Sequence, residues 1–139
     1  MKVGIVGHAA DKFTTITELH AKSKIRELLK PGDILVSGHC HLGGIDIWAE
    51  EIAKELGCYD PAYIFAPKKL QWSGGYRERN LEIAHTSDIV HIIVVAKYPS
   101  RYRGMRFSEC YHCNTSDHIK SGACWTGKRA TQAIWHIIE

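Results

Sequence analysis

The chain has 139 residues, of which 45% are hydrophobic, and a formal net charge of +3 at pH 7. This length predicts one compact domain, and no apolar run approaches the roughly 20 residues that a membrane helix needs. The charge alone does not argue for nucleic acid. The first residues lack the pattern of a secretion signal, so a cytoplasmic location is expected.

The first half of the chain alternates strand and helix patterns. The β-branched run 2–6 predicts a buried strand closed by Gly7. Apolar residues at helical spacing predict a helix over 14–29, a strand over 33–37 follows it, and a second helix is predicted over 45–56. The chain therefore begins with a β-α-β-α order.

The second half is predicted to continue this alternation, with one long interruption. A third strand is expected over 62–67, a helix over 76–87 and a strongly apolar strand over 88–96. An irregular, cysteine-rich loop at about 97–122 then overlaps the start of a short helix from about 118 to 132, and a last strand covers 133–138. The sequence predicts a single domain over 1–139, a Rossmann-like three-layer α/β/α fold with a five-stranded, mostly parallel sheet.

Ligands of such sheets bind outside the carboxyl ends of the strands, so the segments that follow strands are candidate sites. The loop after the second strand offers an anion the backbone amides of Gly38, Gly43 and Gly44 at the start of a helix. Ser37 begins this loop. Asp46 stands in the first helical turn, where a carboxylate either offsets the helix dipole or holds a ligand hydroxyl.

Two other strand-end segments carry candidate binding residues. Gly7 and His8 follow the first strand, and His39 lies in the loop after the second strand. At these positions the two histidines would titrate or donate hydrogen bonds to a ligand. Ser121 and Gly122 stand at the predicted start of the short helix. They would contact an anion there, although Ser121 could equally be a plain N-cap.

The segment before the third helix combines arginines with aromatic residues. Arg77 and Arg79 lie at a helix start, where a guanidinium would bind phosphate, followed by Asn80. Trp72 and Tyr76 would stack on a base. The alternative is that the arginines pair with neighbouring glutamates and the aromatic residues belong to the edge of the core.

Cysteine usage points to metal rather than to disulfides. Five cysteines is an odd number in a chain without an export signal. Cys110, Cys113, His118 and Cys124 have spacings that suit a tetrahedral structural zinc, with His112 as a substitute ligand. The alternative is that Cys124 is only a buried thiol, which would leave three ligands.

Three blocks of the sequence resemble the SLOG superfamily, which includes the DNA-processing protein A Rossmann domain, Lonely Guy-type phosphoribohydrolases and YspA-like proteins. They are "VGIVGH", the "SG…GGIDIWAEEIAKELG" block and "YRERNLEIAHTSDIVHIIVVA". The positions that match the family motifs are Ser37, Gly38, Gly44, Ile45, Asp46, Arg79, Asn80, Ala84 and Asp88. The resemblance covers about residues 1–96 and implies binding of a nucleotide or nucleotide derivative by a domain that self-associates as a homodimer.

The resemblance leaves the chemistry open. If the domain is an enzyme, the family implies a phosphoribohydrolase-like cleavage of an N-glycosidic bond, with Asp46 as the candidate that stabilises a ribosyl cation or orients water. The loop after the second strand is longer than in the relatives and carries His39, Cys40 and His41. Glu50 imitates a catalytic glutamate of the family but follows a different strand, and we expect it to face solvent.

The second hypothesis is a non-catalytic sensor or a protein that binds single-stranded nucleic acid, with a structural zinc loop. The segment 97–107 interleaves basic and aromatic residues, which can grip single-stranded nucleic acid. The same residues could equally be solubilising charges around a small apolar cluster. Loss of DNA binding in a variant lacking Arg101, Arg103 and Arg106 would support this hypothesis over the first.

Overall fold

The computed structural model describes every residue from Met1 to Glu139. The helices and strands are, in chain order, β1 (Lys2–Gly7), α1 (Thr15–Leu28), β2 (Ile34–Val36), α2 (Ile45–Leu56), α3 (Arg77–Thr86), β3 (Ile89–Val95), α4 (Gly122–Gly127) and β4 (Ala133–Ile138). Single helical turns lie at Ala10–Lys12 and Pro61–Tyr63, and an irregular turn, non-helical at Ser73 and Gly74, lies at Trp72–Tyr76. None of the helices has the length and apolar character needed to cross a membrane.

The four strands form one parallel sheet in the order β2-β1-β3-β4. Val3 pairs with Leu35 on one side of β1 and with Ile89 on the other, and His91 of β3 pairs with Ile134 of β4. The predicted α/β class and the parallel sheet are therefore confirmed.

The prediction of a fifth strand over 62–67 is wrong. Pro61 starts a helical turn that Asp60 caps through the Ala62 amide, and only Ile64 makes a parallel bridge, to Ser37. Proline lacks an amide hydrogen and interrupts a strand ladder, so the segment touches the edge of β2 without extending the sheet.

Helices cover both faces of the sheet, which explains why β3 is apolar along its whole length. Ile93 and Val95 pack with residues of α1 and α2, such as Ile25 and Ile52. The alternate residues of β3 pack on the other face, where Ile83 of α3 and Cys124 of α4 lie. The apolar strand pattern thus reflects two separate core layers.

Helix α4 is much shorter than the predicted helix over 118–132. Residues before it run past the end of β3, where the Ile119 amide donates to the Val95 carbonyl at 3.2 Å. Gly127 ends the helix with no room for a side chain, because an added Cβ would press on Ile92 and Trp135. The irregular segment between β3 and α4 agrees with the loop predicted at about 97–122, and within it Cys110 and Thr115 form an isolated antiparallel bridge.

Candidate functional site

A cavity of about 650 Å³ opens at the carboxyl ends of the strands, a size typical of small-molecule sites. Its lining comes from the segments that follow β1, β2 and β3 and from the turn before α3. Nine of the predicted binding residues line it: Gly7, His8, Asp46, Trp72, Tyr76, Arg79, Asn80, Ser121 and Gly122. The parallel sheet therefore brings together segments that are far apart in the chain.

The charged centre of the cavity is a buried pair. The Arg79 side chain is 11% exposed and its Nη1 lies 4.0 Å from Oδ2 of Asp46. Burial raises the pKa of the Asp46 carboxyl to about 6, and Arg79 opposes this rise without cancelling it. The same Oδ2 accepts a hydrogen bond from the Cys40 amide at 3.1 Å, which leaves Oδ1 without a protein donor.

The protein holds Arg79 in place but does not use all of its donors. Its Nε donates to Asn80 Oδ1 at 2.8 Å, and Nη1 donates to the Gly38 carbonyl. The Nη2 atom has no protein acceptor, and no buried side-chain nitrogen or oxygen lacks a partner. Nη2 of Arg79 and Oδ1 of Asp46 are therefore exposed to solvent, and both residues line the cavity.

His8 lines the cavity but both of its ring nitrogens are occupied. Nδ1 accepts from the Val95 amide at 3.1 Å, and Nε2 donates to the Lys120 carbonyl at 3.0 Å, a tautomer assigned from these two partners. Burial lowers its pKa to about 4. A neutral His8 thus joins the ends of β1 and β3 to the loop before α4.

The glycines of the loop after β2 do not line the cavity, and neither does Ser37. Gly44 has a φ of +85°, and a Cβ there would collide with the backbone after β1. The first amide of α2, at Ile45, donates to the His8 carbonyl at 3.1 Å. Gly43 also has a positive φ, of +76°. In this structure these glycines allow two strand-end loops to pack closely.

His39 turns away from the cavity and pairs with Glu50. Its Nδ1 lies 2.8 Å from Glu50 Oε2, and the His39 side chain is 52% exposed while that of Glu50 is 7% exposed. The expectation that Glu50 faces solvent is therefore wrong. Glu50 stands one helical turn after Asp46, on the buried side of α2, where His39 provides its partner.

Arg77 lies outside the cavity. Its side chain is 52% exposed and its Nε lies 3.5 Å from Glu78 Oε1, which is the pairing alternative named above. Ser121 acts as the N-cap of α4, because its Oγ accepts from the Ala123 amide at 3.1 Å. Gly122, the first residue of that six-residue helix, is exposed.

Aromatic side chains form much of the remaining wall. Trp72 and Trp125 meet edge to face with ring centroids 4.8 Å apart, and Tyr98 stacks on Tyr102 at 4.7 Å. The sequence reasoning did not single out Trp125, Tyr111 or Lys12, which also line the cavity. Tyr111 and Trp125 lie next to the predicted metal ligands Cys110 and Cys124, and this adjacency could have indicated these two aromatic residues.

Two of the four basic residues of the 97–107 segment, Arg101 and Arg106, bond within the protein. Arg101 donates to the Phe13 carbonyl. Arg106 donates to the Pro99 and Tyr102 carbonyls, both at 3.2 Å, and lies over the Tyr98 ring. These two cations therefore hold the loop in its folded shape, whereas Lys97 and Arg103 are exposed.

The four predicted metal ligands converge. The candidate ligand atoms of Cys110, Cys113, His118 and Cys124 all lie within 4.8 Å of one another, and the cluster could hold a metal ion. Tetrahedral coordination by zinc with bonds of about 2.3 Å would place the sulfur atoms about 3.8 Å apart. Cys124 is thus part of the cluster, while His112 lines the cavity instead.

Residues around the cluster orient its ligands. The Nδ1 of His118 donates to Asp117 Oδ1 at 2.6 Å, which leaves Nε2 to face Cys124 Sγ at 3.5 Å. The Trp135 Nε1 donates to the same sulfur at 3.4 Å. A carboxylate behind a histidine is the usual outer shell of a zinc site.

The surroundings favour the thiolate form at one of the three cysteines. Burial alone would raise the pKa of Cys110, but hydrogen bonds that include the backbone amides of Ser121 and Cys113 lower it to about 7. Burial raises the pKa of Cys124 and of Cys113. One ligand of the cluster is thus close to its anionic form at neutral pH, which is the form that binds metal.

Comparisons with family models, characterised proteins and solved structures found no match to this chain. The function is therefore inferred from the cavity and from the cysteine cluster themselves.

Proposed function

We propose that this protein binds a nucleotide or nucleotide derivative in the cavity at the carboxyl edge of its sheet, as a Rossmann-like domain of the SLOG kind. The observation that carries the proposal is the Arg79–Asp46 pair, which is buried at the cavity with Nη2 and Oδ1 left unpartnered. Such a pair recognises a ligand that combines an anionic group with hydroxyl or amide donors. A phosphorylated ribose has both.

The rest of the cavity suits the other parts of a nucleotide. Lys12 and Lys120 line it together with Arg79. These three cations outnumber the one carboxylate, so the cavity favours a negatively charged ligand. The rings of Trp72 and Trp125 offer apolar surfaces for a flat base. A cavity of about 650 Å³ has room for a base, a sugar and a phosphate.

Asp46 is the only carboxylate that lines the cavity. A carboxyl pKa of about 6 lets one group serve as acid or base near neutral pH. N-glycosidic cleavage would require Asp46 to stabilise positive charge on the ribose or to orient water. We assign binding as the function and leave cleavage to be measured in the same samples.

The test is a thermal-shift and calorimetric titration with 5′-mononucleotides, sugar nucleotides and single-stranded DNA. We expect mononucleotides or sugar nucleotides to stabilise the protein, and Arg79→Ala to abolish this effect. Arg77→Ala is the matched control, because its charge change is the same but Arg77 lies outside the cavity. Salt-sensitive DNA binding without any response to nucleotides would overturn the proposal. Base release from the bound nucleotide would add the hydrolase activity.

We further propose that the ion held by the cysteine cluster is zinc and that its role is structural. Three thiolates and one imidazole are ligands that zinc prefers, and four protein ligands leave no open position for catalysis. Asn114, which follows Cys113, has a φ of +53°, and the Cys113 amide donates to the Cys110 carbonyl at 3.2 Å. This tight turn presents both sulfur atoms to one point.

Metal analysis of protein purified without an affinity tag tests this assignment. We expect one zinc per chain in the unaltered protein and a clear loss in Cys110→Ser. Cys58→Ser is the control, because Cys58 is also a buried thiol but lies in the core on the other face of the sheet. Stoichiometric zinc in Cys110→Ser, or none in the unaltered protein, would contradict the proposal.

A further inference from the structure

The cysteine cluster lies directly behind one wall of the cavity. The residues that line the cavity alternate along the chain with the four candidate metal ligands. Tyr111 and His112 stand between Cys110 and Cys113, while Lys120 follows His118 by two residues. On α4, Ala123 and Trp125 line the cavity on either side of the Cys124 ligand.

We propose that metal occupancy of this cluster and ligand binding in the cavity are thermodynamically linked, because zinc holds in place the wall that contacts the ligand. The inference rests on the proposed nucleotide-binding function for its ligand. It adds a regulation of that site: zinc increases affinity for the ligand, and by the reciprocity of linkage the bound ligand increases retention of zinc. Loss of zinc therefore disables the binding site without unfolding the sheet.

Few hydrogen bonds join this wall to the rest of the protein, although Ile119 and Cys110 are buried in the two core layers. Between the end of β3 and the start of α4, no helix or strand forms, and ordering such a segment costs conformational entropy at every residue. Its main ties to the rest of the protein are the Ile119 amide on Val95, His8 on the Lys120 carbonyl, and Arg101 on Phe13. Two of these hydrogen bonds are made by Ile119 and Lys120, the two residues that follow His118, so they depend on the position of a candidate metal ligand.

The cluster also fixes the aromatic side of the cavity. Trp135 on β4 donates to Cys124 Sγ, and Cys124 is buried between β3 and α3 in the second core layer. The next residue, Trp125, contacts Trp72 from the turn before α3. A shift of Cys124 on metal loss would move the Trp125 ring and separate the two edges of the wall.

Hydrogen exchange with zinc alone as the probe tests the inference without reference to any nucleotide. Protein stripped with a chelator should exchange faster in segment 97–126 than zinc-loaded protein, while β1 and β3 stay equally protected. Zinc added back should restore the slow exchange. Cys110→Ser should resemble the stripped protein, and Cys58→Ser should respond to zinc as the unaltered protein does.

The binding arm uses adenosine 5′-monophosphate on the same samples. We expect affinity to fall by about 10-fold or more on zinc removal, and bound nucleotide to slow zinc transfer to a chelator. Unchanged exchange in 97–126, or increased exchange that includes β1, would overturn the linkage. If neither this nucleotide nor the others of the panel bind zinc-loaded protein, the proposed function fails. The exchange experiment would still show whether zinc orders the wall.

Discussion

Nη1 of Arg79 lies 4.0 Å from Oδ2 of Asp46, although the two residues stand on helices that cover opposite faces of the sheet. Asp46 belongs to α2, which packs with α1, and Arg79 belongs to α3, which packs with α4. The pair therefore meets above the strand ends, where the two helix layers come together. Burying these two charged groups lowers the stability of the fold. Such a cost is expected of residues that serve binding rather than folding.

The first prediction concerns Asp46→Asn. The folded carboxyl has a pKa of about 6 against 3.8 when exposed, so its ionised form is disfavoured in the fold. Burying the ionised carboxylate therefore lowers the free energy of unfolding. This loss is absent below pH 3.8 and is complete once the pH has risen above 6. Asp46→Asn should raise the free energy of unfolding at pH 7 by about 1–3 kcal/mol and change it little at pH 4.

Urea unfolding at both pH values measures the effect, and the nucleotide titration should show weaker binding in the same variant. An equal change at pH 4 and pH 7 would contradict the assigned pKa. Reduced stability at pH 7 would show that the Arg79 ion pair outweighs the cost of burying the carboxylate.

The second prediction concerns His8→Ala. This change leaves the Val95 amide and the Lys120 carbonyl without partners, so it should cost about 2–4 kcal/mol at pH 7. The pKa of His8 is lowered from 6.5 to about 4, so its contribution is complete above pH 6.5 and is lost as the pH falls toward 4. The stability difference between the unaltered protein and His8→Ala should therefore narrow over that interval.

Chemical unfolding between pH 7 and pH 4 checks this prediction. His85→Ala is the control, because His85 is exposed on α3 and makes no side-chain hydrogen bond. A difference that stays constant with pH would mean that His8 is not held neutral in the fold.

The third prediction concerns Gly38→Ala. A Cβ at this position would collide with the Arg79 guanidinium, so the arginine must move from its place at the cavity. Nucleotide affinity should fall by about 10-fold, which corresponds to about 1.4 kcal/mol. Gly57→Ala is a control far from the cavity, where the only cost is a φ of +75° with open space around it.

Calorimetric titration with the best nucleotide of the panel gives the affinity of both variants. We expect Gly57→Ala to lose about 1 kcal/mol of stability and no affinity. Full affinity in Gly38→Ala would show that the ligand does not depend on the position of Arg79.

The fourth prediction concerns the outer shell of the metal cluster. Asp117→Ala removes the acceptor for His118 Nδ1, which fixes the orientation of the imidazole. Zinc affinity should fall by about 10–100-fold, as measured by competition with a chromogenic chelator. Glu109→Ala removes an equal charge next to Cys110 from an exposed side chain and should leave the affinity unchanged.

Periodicity located most elements because each helix and strand must bury one face or both. The α2 stripe and its terminal Gly57 were predicted within a residue, and β3 was recognised from its continuous apolar run. Two predicted elements, the strand over 62–67 and the long helix over 118–132, differ from the structure because local signals conflict there. Pro61 starts a helical turn where β-branched and aromatic residues favoured a strand, and α4 ends at Gly127, five residues before the end of the predicted helix.

For the candidate site too, some residues were predicted correctly from the sequence and others were not. Cysteine and histidine spacing identified all four residues of the cluster that could hold a metal ion, because short loops can present ligands only at certain separations. The burial of Glu50 depended on His39, a partner that no pattern encodes, whereas the pairing of Arg77 with Glu78 was one of the two alternatives that the sequence offered. Glu50 is buried because His39 is close enough to pair with it, and Arg77 stays outside because α3 turns it toward Glu78.

The sequence by itself determined the α/β order, the strand-end position of the candidate residues and the ligand set of the cluster, since all three follow from local spacing. Only the tertiary structure decided that Arg79, and not Arg77, meets Asp46, that His8 is locked between two backbone groups, and that the cluster backs the aromatic wall of the cavity. The first two relationships join residues 33 and 112 positions apart. Distances of this kind are set by how the helix layers pack on the sheet, which no short stretch of sequence specifies.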